Sequence, residues 1–98
     1  TAKLELERLL LIHPENLKAR VDLGVFELGL NNLAQAEQHL AAALKQDSGH
    51  GKARYYEAMV LYQQGQNSAA KKKLTALSKV KHDEYGIKAA QFLKEYAV

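Results

Sequence analysis

Apolar residues recur every three or four positions along most of the chain, with polar residues filling the gaps. That is the period of a helix, because residues three and four apart share a face. Residues 1–13 set Leu6, Leu9, Leu10 and His13 at this spacing among Glu5, Glu7 and Arg8, and Pro14, which has no backbone donor, ends the run. Pro14, Glu15 and Asn16 suit the opening of a second helix, since proline is tolerated in a first turn and acidic residues favour the positive helix end. That helix is expected to reach about Leu30, where Asn31-Asn32 provides residues able to adopt the left-handed conformation of a tight helix end. A third helix is predicted over 33–46, with Ala36, Leu40, Ala43 and Leu44 on one stripe, and Asp47-Ser48-Gly49-His50-Gly51 closes it. A fourth runs to Gln64, and Gly65 to Ser68 turns the chain, with Asn67 or Ser68 expected to cap a fifth helix over about 68–80. Lys81-His82-Asp83-Glu84 reads as a turn with an acidic helix start. A sixth helix then carries Tyr85, Ala89, Phe92, Leu93 and Tyr96 on one face and Lys88, Gln91 and Glu95 on the other.

Six helices joined by connections of a few residues make antiparallel neighbours, so the fold class is all-α. The pattern also repeats. Lys18-Ala19-Arg20 returns as Lys52-Ala53-Arg54, and at the same offset Ala36, Leu40, Ala42 and Lys45 return as Ala70, Leu74, Ala76 and Lys79. An ordinary bundle needs no such common offset, whereas a stack of like helix pairs does.

Composition narrows the chemistry further. The chain has 98 residues, 47% hydrophobic and 26% charged, which fits one folded core and argues against disorder. It has no cysteine, so disulfides, thiolate metal sites and cysteine nucleophiles are absent. Compartment stays open, because a helical domain needs no disulfide anywhere. No run approaches the roughly 20 apolar residues that cross a bilayer, so membrane insertion is not expected. His13, His39, His50 and His82 lack a second ligand at helical spacing, and Gly49-x-Gly51 has neither the strand nor the lysine of a phosphate loop, so no metal, cofactor or catalytic residue is assigned. The net charge of +3 gathers at Lys71-Lys72-Lys73, Lys79 and Lys81. Three consecutive lysines splay around a helix, the pattern of a solvated face more than of a phosphate-binding strip.

Leu23-Gly24, Ala36, Leu40 and Ala43 over residues 17–50, with Ala58, Gly65, Ala70 and Leu74 over 51–84, resemble the tetratricopeptide repeat family. The resemblance covers almost the whole chain. Residues 1–16 match the closing helix of a preceding repeat, through Ala2, Leu6 and Pro14, and 85–98 match either the first helix of a further repeat or a capping helix. Departures are Arg20 and Arg54 in the tryptophan slots, Glu27 and Leu61 in the tyrosine slots, and Ser48 and His82 in place of the later prolines. Gly24, Ala36, Ala58 and Ala70 read as holes for close helix approach, with Leu23, Leu40 and Leu74 as knobs and Phe26 and Val60 packing nearby.

The resemblance implies a right-handed superhelical stack of antiparallel helix pairs that is no enzyme and binds a protein or peptide. In such a stack the first helix of each pair lines the concave face. The groove residues are then Val21, Val25, Leu28, Tyr55, Met59, Tyr62, Leu93 and Tyr96, with Lys18 and Lys52 at the rim. Tyrosine offers a rigid apolar ring with a polar tip and methionine adapts to irregular partners, which suits an apolar peptide or amphipathic helix. The plain alternative is that these residues are packing between repeats. Two further alternatives are a homo-oligomerisation module that uses exposed repeat ends, and nucleic-acid binding through Lys71–Lys73.

Overall fold

The computed structural model describes residues 2–96. The outermost positions of the two terminal sequence-predicted helices, Thr1 and Ala97-Val98, lie outside the described residues. Six helices follow one another: α1 (Ala2–Ile12), α2 (Leu17–Gly29), α3 (Leu33–Gln46), α4 (Gly51–Gln63), α5 (Asn67–Ser78) and α6 (Glu84–Tyr96). Among the described residues there is no strand.

The turns inside the two helix pairs are built alike. Asn31 and Gly65 hold equivalent places in successive repeats, and both take positive φ, at 63° and 81°. Each is followed by an amide that reaches back five residues, Asn32 to the Glu27 carbonyl and Gln66 to the Leu61 carbonyl, both at 2.9 Å. These bonds satisfy carbonyls that a helix end would leave bare. The second turn starts α5 one residue earlier than predicted. Asn67 lies inside its first turn and Gln66 precedes it, so neither Asn67 nor Ser68 caps the helix.

The starts of α2, α4 and α6 are capped by side chains. Asn16 Oδ1 accepts from the Ala19 amide at 2.9 Å, His50 Nδ1 from the Ala53 amide at 3.2 Å, and Asp83 Oδ1 from the Tyr85 amide at 2.7 Å. Because Asn16 is the cap, Pro14 and Glu15 stand in the turn before α2 and outside its first turn. Asn16 and His50 are separated by the same offset as the sequence repeats, but Asp83 follows His50 one position sooner than that offset requires. The last helix is therefore displaced by one residue against the strict period.

Small residues let the helices meet. A Cβ placed on Gly24 would lie 2.8 Å from Leu40 Cγ, so the α3 leucine fills the space where α2 has no side chain. Ala36, Leu40 and Ala43 on α3 are fully buried and join Val21, Ala53 and Val60 in one core cluster. Ala58, Leu74, Leu77 and Ala89 form a second cluster between α4, α5 and α6. Helix α4 thus lends opposite faces to two cores. Burial at this scale stabilises by about 1.5–3 kcal/mol for each large apolar side chain.

Helix α1 is held differently, with none of its residues fully buried. Lys3 reaches Glu27 on α2 at 2.9 Å, and Glu27 is only 3% exposed. This close ion pair answers the carboxylate that stands in the family's tyrosine slot, and it holds the Lys3 ammonium above its ordinary pKa. Beside it, His39 is half-buried and its Nδ1 has no hydrogen-bond partner among the described residues. Burial, followed by the positive charge of Arg20, holds the His39 imidazole below its ordinary value.

Two outcomes follow from this packing. A Cβ on Gly86 would strike the Val80 carbonyl and lie 3.0 Å from the Leu77 carbonyl oxygen. Backbone cannot step aside as a side chain can, so Gly86→Ala should cost about 1–3 kcal/mol of packing strain. A helix-propensity gain of at most about 1 kcal/mol offsets only part of that cost. A thermal melt should show a lower Tm, and an unchanged or raised Tm would contradict the close approach. For His39, the unfolded chain takes up a proton near the ordinary 6.5 while the folded chain resists. Stability should then fall as pH drops from that value through the lower folded one. Denaturant midpoints measured at neutral and mildly acid pH should fall less for His39→Gln than for the native chain, and equal losses would contradict this assignment.

Candidate functional site

The stack is curved. Helix α2 packs on α4 and α4 on α6, whereas α3 and α5 make no close approach to each other among the described residues. The line through the first helices of the pairs is therefore the shorter one, which makes α2, α4 and α6 the inner face.

That face is built from α4 and α6 at its aromatic end. Tyr55, Tyr56 and Tyr85 form a cluster with ring centroids 5.2 to 6.1 Å apart, and the Lys88 ammonium lies 4.9 Å from the Tyr85 ring centre. A second run joins Tyr62 to Phe92 at 5.4 Å and Phe92 to Tyr96 at 4.7 Å. The Phe92–Tyr96 pair separates two hollows. One, of about 190 Å³, lies between α4, α5 and α6 and is lined by Tyr62, Ala70, Leu74, Phe92, Leu93 and Tyr96 among others. The other, of about 290 Å³, opens beside Tyr55, Lys88, Gln91 and Glu95. Burial raises the Tyr55 phenol above its ordinary pKa.

The sequence-predicted groove residues divide on this geometry. Tyr62 is 37% and Tyr96 54% exposed, while Val25, Leu28, Tyr55, Met59 and Leu93 are half-buried and pack partly on the two cores. Val21 has to be corrected: it is 1% exposed and belongs to the α2–α3–α4 core, because its side chain is closed in by Leu40 and Ala53 and leaves no surface for a partner. Lys18 is exposed. Lys52 makes an ion pair with Asp22 at 3.0 Å, which ties α4 to α2, and that hydrogen bond holds its ammonium above the ordinary pKa.

The displaced sixth helix explains what sequence reasoning missed. Aligned on their caps, α2, α4 and α6 put the buried Ala19, Ala53 and Gly86 at one position. The next turns then align Val25 and Met59 with Phe92, and Phe26 and Val60 with Leu93. Phe92 thus takes the inner-face position that a strict period gave to Leu93. The signal was Asp83, an N-cap residue type one place early.

Elsewhere, Lys71, Lys72 and Lys73 are exposed on α5, the outer helix of its pair, and Lys73 is paired with Glu57 at 3.1 Å. Among the described residues no three His, Cys, Asp or Glu side chains gather into a metal-sized group, and no helix is long and apolar enough to cross a membrane.

Comparison with known proteins gives the same reading as the geometry. A family model described as tetratricopeptide repeat matches residues 27–91. Neither the curated proteins nor the solved structures return a match. The matched span runs from the end of α2 through the α4 and α5 pair into α6, and with the six stacked helices it shows that the chain belongs to the tetratricopeptide repeat family, a family of non-catalytic scaffolds for protein–protein interaction.

Proposed function

We propose that this chain holds a short apolar segment of another protein, as a peptide or an amphipathic helix, against the inner face of α4 and α6. The observation that carries the reading is the Tyr62–Phe92–Tyr96 run, whose outer rings are exposed and which is flanked by two hollows. Exposed aromatic rings in a concave setting supply large contact area at low entropic cost, and such residues dominate binding energy at protein interfaces. Val25, Leu28, Tyr55 and Met59 continue the apolar lining, and Lys18, with the Lys52–Asp22 pair, forms a polar rim that fixes orientation.

A peptide library displayed on phage and selected on the intact chain supplies the probe. Binding of a selected peptide, measured by calorimetry, should weaken at least about tenfold in Tyr62→Ala or Tyr96→Ala, a loss of about 1.4 kcal/mol. The melting temperature should change little, since both rings are exposed. Gln38→Ala, on the outer helix α3, should leave affinity intact. Peptides that bind both tyrosine variants as tightly as the native chain would contradict the proposal.

A further inference from the structure

The outer side of the stack holds a cleft of its own. Helices α3 and α5 make no close approach among the described residues, and α4 packs against both, so α4 forms the bottom of the gap between them. Arg54, Glu57 and Leu61 follow one another at helical spacing along that bottom. Lys73 on α5 reaches Glu57 at 3.1 Å, and these two side chains border two hollows. The larger, of about 420 Å³, takes in Arg54, with Leu44 from α3 and Ala69 and Ala76 from α5 as its apolar walls and Ser48 and Lys72 beside them. The smaller, of about 160 Å³, lies toward Glu37 and Leu61.

Packing does not account for Arg54. It is half-buried, yet among the described residues its guanidinium has neither an ion-pair nor a hydrogen-bond partner. Its counterpart one repeat earlier, Arg20, donates to the Pro14 carbonyl at 3.3 Å, whereas Arg54 makes no such bond to Ser48, the residue that corresponds to Pro14. Lys72, exposed beside the same hollow, also lacks an ion-pair partner among the described residues. Three cations therefore border the larger hollow against one carboxylate, Glu57, and Lys73 already answers that one. The remaining charge is positive, and a guanidinium presents its donors in a planar fork that fits a carboxylate through paired, parallel bonds.

We infer that this outer cleft holds a glutamate or aspartate side chain from an acidic segment of a partner protein. The carboxylate meets Arg54 and Lys72, and the methylene stem lies against Leu44, Ala69 and Ala76. From Lys72 the basic surface continues over α5 to Lys79, so acidic neighbours in the same segment meet cations as well. A nucleic-acid strand fits worse. Its phosphates carry no apolar group to set against those walls, and a strand that followed the cleft would meet Glu57 and then Glu37. The cleft lies on the opposite side of α4 from the aromatic run, and the inference is independent of the groove on α4 and α6.

Fluorescence anisotropy of the intact chain with a labelled peptide of alternating glutamate and alanine tests it. The peptide should bind at low salt and weaken as salt screens the charges, and a version with glutamine in place of glutamate should not bind. Arg54→Gln should weaken binding at least about tenfold. Lys72→Glu should weaken it comparably while circular dichroism and Tm stay those of the native chain, because Lys72 is exposed. Lys94→Gln, which removes a charge from an exposed position on α6, and Tyr62→Ala should leave affinity intact. Absence of binding by the glutamate peptide, a loss as large in Lys94→Gln as in Arg54→Gln, or binding that Tyr62→Ala abolishes while Arg54→Gln and Lys72→Glu spare it would each overturn the inference. Tighter binding of a labelled thymidine oligonucleotide, lost in the Arg54 and Lys72 variants, would overturn it in favour of a nucleic acid.

Discussion

The close approach of α2 and α3 at Gly24, where the Leu40 side chain enters the space a Cβ would take, is the contact on which the rest of the structure depends. Two helices pack at the short end of the usual 8–10 Å only where one of them offers almost no side chain. Ala58 and Leu74 reproduce the arrangement in the next pair, both essentially without solvent exposure. Repetition of this one contact gives the two helices of each pair the same close spacing. The remaining features, including the shared use of α4 by two cores, follow from that spacing.

Curvature is the second consequence. First helices touch their successors while the outer helices α3 and α5 stand apart, so one face of the stack is compressed and the other is spread. Side chains on the compressed face crowd together, and where they are aromatic they contact one another, as Tyr62, Phe92 and Tyr96 do. The spread face carries exposed lysine and glutamine. Polarity and curvature thus divide the molecule in the same way, into an aromatic inner face and a polar outer one.

Much of this fold is legible in the residues because its elements are local. The alanine and leucine stripes have a helical period, Asn31 and Gly65 announce the two left-handed turns, and Asn16 stands where a cap belongs. The site is less legible, because its membership depends on neighbours distant in sequence. Val21 reads as surface on α2 alone and becomes core once Ala53 and Leu40 close over it. Glu27 reads as a departure from the tyrosine slot, and its burial becomes intelligible only beside Lys3 from α1. Phe92 and Leu93 exchange roles because the cap of α6, Asp83, stands one residue before the period expects it. A one-residue displacement turns a helix by about 100°, enough to move a side chain from the packed side to the open one.

We propose that a partner rests on the inner face of the curved stack, above all on its aromatic run on α4 and α6. Backbone amide shifts followed by NMR as a selected peptide is titrated into the intact chain test this most directly. The largest changes should map to Tyr55, Met59, Tyr62, Phe92 and Tyr96, with α3 and the lysines of α5 left in place. Changes centred on Lys71, Lys72 and Lys79, with the aromatic residues undisturbed, would contradict it.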